Sequence, residues 1–193
     1  MTVAIVDLGC GNVGSVAVGL QRLGAEVRLT RDAGEIAAAD RVVLPGVGAA
    51  GFAMDRIDAL GLRGTLTSVE RPLLGICLGM QLLFETSEED DIACLGLVPG
   101  KVRRLEPAPR LPVPHMGWSR LEVREEGAGL KTGDYVYFAH GFAADDGPAS
   151  LATAEHGRTI PAAVRKGRLL GAQFHPERSS EAGARFLEAF LAC

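Results

Sequence analysis

Between residues 3 and 85 the chain alternates two periodicities, and this restricts the fold more than any other feature. Short apolar runs at 3–6, 26–30, 41–44 and 72–76 read as strands, the third stopped by Pro45. Residues 14–23, 51–60 and 78–85 carry apolar side chains at helical spacing, and Gly24 suits the C-cap of the first. Alternating strands and helices imply βαβ units and a parallel sheet covered on both faces. The second half changes character. Residues 118–123, 134–139, 151–155, 162–165 and 169–174 read as strands, with Lys166-Gly167 suited to a hairpin turn before the last, and 179–191 reads as a closing helix. APRLPVP (108–114) reads as a loop. The expectation is a single three-layer α/β domain over 1–193, its mostly parallel central sheet extended by an antiparallel portion.

Composition narrows the function. With 193 residues, 47% of them hydrophobic, the chain can bury a sizeable core. A formal charge of −4 and a pI of about 5.6 argue against a broad nucleic-acid footprint. Cys10, Cys77, Cys94 and Cys193 form no CxxC pair, which argues against a zinc site or disulfide framework and suits a reducing cytoplasm. MTVAIVDLGCGN lacks a basic leader and reads as a first strand rather than a signal peptide. No stretch approaches the ~20 apolar residues of a membrane helix.

GCGNVG (9–14) fits G-x-G-x-x-G after a strand, the pattern of a dinucleotide-binding turn. That pattern wants an acidic residue closing the second strand, which here ends Leu29-Thr30-Arg31. Asp32 suits a helix cap better, so the stretch reads as a Gly-rich strand–helix turn.

LLGICLGMQLLFE (73–85) sets Cys77 between Gly75 and Gly79 where strand gives way to helix. A buried structural cysteine is the alternative that this stretch alone leaves open, although burial needs no flanking glycines. A sharp turn that presents a nucleophile at a sheet's carboxyl edge does, and a helix N-terminus beneath it favours negative charge on sulfur. Such a thiol needs a base and an orienting group. Of His115, His140, His156 and His175, only His175 comes directly off an apolar strand with a carboxylate nearby, Glu177. Pro176 disfavours helix at His175, and in extended backbone residues i and i+2 point the same way, so Glu177 can hold the imidazole tautomer. A surface His-Pro-Glu turn is the alternative. An oxyanion would take the N–H of Leu78 and a second donor from LPGVGAA (44–50), unless PGVG is an ordinary turn.

Assembled, VDLGCGNVGSV, LPGVGAA, LLGICLGMQLLFE, PHMGW, VYFAHGF and QFHPERS resemble the class I (triad) glutamine amidotransferases, and within them the glutaminase subunits of imidazole glycerol phosphate synthases. The resemblance implies a flavodoxin-like fold and a triad of Cys77, His175 and Glu177. It implies oxyanion donors at Val47 and Leu78, and glutamine contacts at Gly48, Gln81, Glu89, Gly141 and Phe142. It also implies a separate (β/α)8-barrel cyclase partner, met near Asn12, Trp118, Tyr137 and Arg178, and no metal or organic cofactor. The chain departs from the family at His140-Gly141-Phe142, where His-Ser-Tyr is common. Two other readings are weaker. A glutaminase of the pyridoxal phosphate pathway would carry Gly-Gly-Glu-Ser-Thr where this chain has Pro-Gly-Val-Gly. A non-catalytic binding subunit would be expected to have lost Cys77, His175 or Glu177.

Overall fold

A computed structural model describes residues 1–9, 13–46 and 48–193. The first half runs β1 (Thr2–Val6), α1 (Val13–Arg22), β2 (Glu26–Thr30), α2 (Ala33–Ala38), β3 (Arg41–Gly46), α3 (Ala50–Ala59), α4 (Leu62–Ser68), β4 (Leu73–Cys77) and α5 (Leu78–Gln81). The short strands β5 (Thr86–Ser87), β6 (Ile92–Ala93) and β7 (Lys101–Arg104) follow. Then come β8 (His115–Arg120), β9 (Glu122–Val123), β10 (Tyr135–His140), β11 (Phe142–Ala144), β12 (Ser150–Glu155), β13 (Thr159–Lys166) and β14 (Leu169–Ala172). A 3-10 turn at Pro176–Arg178 leads into α6 (Ser180–Ala192).

The main sheet has the order β2-β1-β3-β4-β14-β13-β12-β9. Its first five strands are parallel, and β13, β12 and β9 add the antiparallel portion. Both faces are buried over the central strands, as β1 illustrates, whereas the edge strand β2 is largely exposed. Val3 and Ile5 join a core with Val16 and Leu20 of α1 and Phe186 and Phe190 of α6. Ala4 and Val6 face the opposite core, with Ile36 of α2, Ile57 of α3 and Leu66 of α4. The expected three-layer α/β architecture is therefore present.

Local chemistry explains two of the boundaries. Gly24, left-handed at φ 85, ends α1 as expected: its N–H reaches the Gln21 carbonyl, and that of Ala25 reaches Leu20. Asp32 caps α2 by accepting the Glu35 N–H at 2.8 Å, which supports the cap reading over the ribose-binding one.

Several expectations need correction. Pro45 does not stop β3, which continues to Gly46. Pairing with β1 ends at Val43, and beyond it β3 pairs with β4 alone, so the missing proline N–H costs no ladder bond on that side. The expected strand 118–123 is two: β8 pairs with β10, β9 with β12, and buried Leu121 marks the change of sheet. Lys166 is the last ladder residue before Leu169, so the turn is Gly167-Arg168, with Gly167 at φ 58. The helix expected over 78–85 is four residues long. The carbonyls of Leu82, Leu83 and Phe84 instead accept N–H groups from Leu95, Leu97, Val98 and Gly96, which pull this buried run out of helix. The sequence reading also missed α4 and the small sheet β11-β7-β5-β6, whose strands are too short to show a period.

Candidate active site

β4 lies between β3 and β14, buried along its whole length, and Cys77 is its last residue. Cys77 has φ 54 and ψ −111, a conformation that a non-glycine residue keeps only when its surroundings impose it. The flanking glycines supply that constraint through close contact. A Cβ on Gly79 would stand 1.8 Å from the Leu44 carbonyl oxygen, and one on Gly75 would stand 2.6 Å from the Gly79 oxygen. Gly46 has no room for one either: its Cβ would meet Gly79 N and Leu78 Cβ at 2.8 Å. α5 thus rests directly on the ends of β3 and β4, which brings Leu78 and Gln81 in beside the thiol. The first N–H groups of a helix have no partner within it, so the Leu78 N–H is a donor next to Cys77.

The register Ala172 opposite Ile76 brings the chain after β14 alongside Cys77. The His175 backbone N–H donates to the Tyr137 carbonyl at 2.8 Å, and its ring Nδ1 lies 2.9 Å from Glu177 Oε1. The pairing holds, and His175 is itself extended as expected, at φ −97 and ψ 98, but the backbone after it is not. Residues 176–178 form a 3-10 turn, closed by Arg178 N–H to the His175 carbonyl and Ser179 N–H to the Pro176 carbonyl. Ser179 clamps this turn, its hydroxyl donating to the His175 carbonyl at 2.6 Å and accepting the Tyr137 N–H at 3.0 Å.

The Glu177 side chain is 2% exposed, and Oε2 has no partner among the described residues. Burial works against a charge on His175. The neighbouring Cys77 sulfur and the Glu177 carboxylate outweigh it and push the His175 pKa up to about 10. With Nδ1 committed to Glu177, Nε2 is the nitrogen left to exchange a proton with sulfur.

Gln81 is buried, and its Nε2 donates to the Phe142 carbonyl at 2.6 Å and to Gln173 Oε1 at 3.0 Å. Gln81 is therefore tied to the Phe142 backbone, which follows Gly141, and through Gln173 to Cys77. In place of a phenol, Phe142 presents a ring beneath the Arg104 guanidinium, 5.1 Å from its centroid. Gly48, exposed at φ 99, lies at the approach to α3. Glu89 is at the same place, accepting the Ala50 N–H at 2.9 Å, and burial pushes its carboxyl up against that hydrogen bond. Val47 and Asn12 lie outside the described residues.

Trp118, 53% exposed, meets Tyr137 edge-on at 6.1 Å, and the Arg178 guanidinium sits 4.7 Å from the Tyr137 centroid. Met116 and Tyr135 are exposed on the same two strands. This apolar ladder adjoins the site, because Ala139 of β10 has its carbonyl 3.9 Å from Cys77 Sγ.

The sequence reading missed Gln173, a polar residue closing an apolar strand run; that break in pattern was the available signal. It also set aside three histidines that the structure gathers. His115 Nδ1 lies 3.2 Å from His140 Nε2, and its ring stacks on those of His156 and Phe138 at 4.1 and 4.6 Å. Burial pushes His115 down to about 4, with His156 adding to the effect, and His140 down to about 3, with His115 adding. Among the described residues, no group of three His, Cys, Asp or Glu side chains could hold a metal ion, and no helix is long and apolar enough to cross a membrane.

Comparison with known proteins agrees with this geometry. The class-I glutamine amidotransferase family model matches residues 4–192. A protein of Xanthomonas oryzae pv. oryzae named imidazole glycerol phosphate synthase subunit HisH is 52% identical over 192 residues, covering 98% of this chain and 96% of the relative. The Xylella fastidiosa protein of the same name is also 52% identical, with the same coverage. In three dimensions the chain is similar to a glutamine amidotransferase crystal structure, with a TM-score of 0.78 at 22% identity over 98% of this chain and 97% of the other. It is also similar to the glutaminase domain of Trypanosoma brucei CTPS, with a TM-score of 0.68 at 16% identity over 100% and 94%. The chain belongs to the class-I glutamine amidotransferases, in the family that includes the HisH subunits of imidazole glycerol phosphate synthase.

Proposed function

We propose that this glutamine amidotransferase is the glutaminase subunit of an imidazole glycerol phosphate synthase, acting in histidine biosynthesis in the cytoplasm. The observation that carries its chemistry is the strained Cys77, held at a strand end beside a His175–Glu177 pair. Sγ attacks the side-chain carbonyl carbon of glutamine after His175 takes its proton. The Leu78 N–H, with that of Val47, stabilises the oxyanion. His175 returns the proton to the leaving nitrogen, ammonia departs, and a glutamyl thioester remains. Water, deprotonated by His175, then attacks the thioester and releases glutamate. Glu177 keeps the imidazole in its working tautomer. Gly48, Gln81, Glu89, Gly141 and Phe142 hold the substrate, and in this chain Phe142 does so through its backbone.

Ammonia passes to a (β/α)8-barrel cyclase, which uses it to convert PRFAR to imidazole glycerol phosphate and AICAR. The ladder of Trp118, Tyr137 and Arg178 faces that partner, and Asn12 adds to the contact. Co-purification with such a cyclase and assay with glutamine and PRFAR tests the reading. Wild-type protein should form glutamate and imidazole glycerol phosphate, whereas Cys77→Ser should lower glutamate formation by orders of magnitude. Near-normal turnover by Cys77→Ser would remove Cys77 from the mechanism, and failure to bind a cyclase would remove the partner.

A further inference from the structure

The end of β14 leads to a buried group that this reaction scheme does not use. Gln173 is 0% exposed, and a buried carboxamide is expected to have partners for its polar atoms. Its orientation follows from those partners, starting at the Phe142 carbonyl, which can only accept. Gln81 Nε2 lies 2.6 Å from that oxygen, so the Gln81 amino group points towards it. The same nitrogen lies 3.0 Å from the Gln173 side chain, whose facing atom must then be the oxygen. Gln173 Nε2 is thereby turned to Cys77, 3.9 Å from Sγ. The anchor is fixed from a second side, because the Phe142 carbonyl also accepts from His140 Nδ1 at 2.9 Å.

Sγ therefore lies between opposed groups. The Ala139 carbonyl, 3.9 Å away, can only accept and so favours the protonated thiol. The Gln173 N–H can only donate and so favours negative charge on sulfur. Among the described residues His175, backed by Glu177, is the titratable group that interacts with Cys77, and it gives up its proton during turnover. Gln173 keeps its protons throughout the cycle. We propose that Gln173 is a positioning residue for the nucleophile, its N–H holding Sγ beside His175 and stabilising the charge that sulfur carries before attack. The inference rests on Cys77 being the nucleophile.

The test is the pH dependence of Cys77 alkylation by iodoacetamide, read by mass spectrometry of the Cys77 peptide, alongside glutamate production by the complex. Gln173→Met removes the donor at similar volume. Its alkylation profile should move about one pH unit upward, and kcat should fall about tenfold with KM little changed. Gln173→Glu keeps an acceptor for Gln81 but turns an oxygen to the sulfur, and should shift the profile at least as far. A wild-type profile with turnover within twofold, in either folded variant, would overturn the inference. Without any core substitution, the side-chain amide resonance of Gln173 should titrate with the alkylation midpoint, and that step should vanish in Cys77→Ala. A flat resonance in the wild-type chain would also overturn it. Glutaminase activity surviving in Cys77→Ala would mark failure of the nucleophile assignment instead.

Discussion

At the scale of single residues, glycines set the geometry of the thiol. Gly79→Ala would drive a Cβ into the backbone carbonyl of Leu44, at a point where neither β3 nor α5 can retreat. Chemical denaturation should show a loss of about 3 kcal/mol or more, with little soluble protein. Gly64 is the contrast, an exposed α4 residue with nothing within 4 Å of a built Cβ. Gly64→Ala should stabilise by about 0.5–1 kcal/mol through helix propensity.

Titration also belongs to this scale, and its sign differs between histidines. His140 and His115 have folded-state pKa values near 3 and 4, below the ordinary 6.5. As pH falls below 6.5 the unfolded chain takes up protons that the folded chain refuses. Stability should therefore drop between pH 6.5 and 4, by roughly 1 kcal/mol per pH unit or more. His175, raised to about 10, acts oppositely: its contribution is complete below pH 6.5 and is lost as pH rises towards 10. These three rings together place the maximum of stability near pH 6.5. Urea unfolding from pH 4 to 10 checks this, and Glu177→Gln should shrink the alkaline limb in part, since Cys77 also raises His175, while leaving the acid limb unchanged.

At the scale of elements, the turn at 176–178 matters more than its length suggests. Its shape, not extended backbone, turns the Glu177 carboxylate onto His175, and Ser179 ties it to β10. Ser179 is 1% exposed. Ser179→Ala would leave the Tyr137 N–H without its hydroxyl acceptor and the His175 carbonyl without its hydroxyl donor, for a loss of about 2 kcal/mol. Glutaminase turnover should fall with it, because the base and its carboxylate share this turn, whereas Ser179→Thr should retain much of both. α5 illustrates the same dependence on neighbours. Four residues of helix suffice to aim Leu78 and Gln81, because the segment at 95–98 takes over the next carbonyls.

At the scale of the whole molecule, an exposed apolar ladder adjoins the site. Met116 at 64% and Trp118 at 53% exposure are costly on a free surface and suit a covered one. Met116→Asp and Trp118→Ala should each weaken binding to the cyclase at least tenfold, measured by calorimetry. The unfolding midpoint of the isolated chain should barely change. Unchanged affinity in both variants would move the interface elsewhere.

Much of what depended on neighbours in sequence was legible before the fold was known, although helix α4 and the turn at 176–178 were not. Alternating periods announced a parallel sheet with helices on both faces. Gly24 and Asp32 marked a helix end and a helix start, and GICLG and HPE marked a thiol turn and an imidazole–carboxylate pair. These are local signals because a strand, a cap or a tight turn is built from residues a few positions apart. The tertiary structure decided what depends on distant partners. The reason Gly79 must be glycine lies in Leu44, and the orientation of Gln173 is set by Phe142 through Gln81. Three histidines at 115, 140 and 156 meet only because β8 and β10 pair and β12 ends beside them. Such contacts leave no period in the sequence: each is a steric or hydrogen-bonding match between segments that only the folded chain brings together.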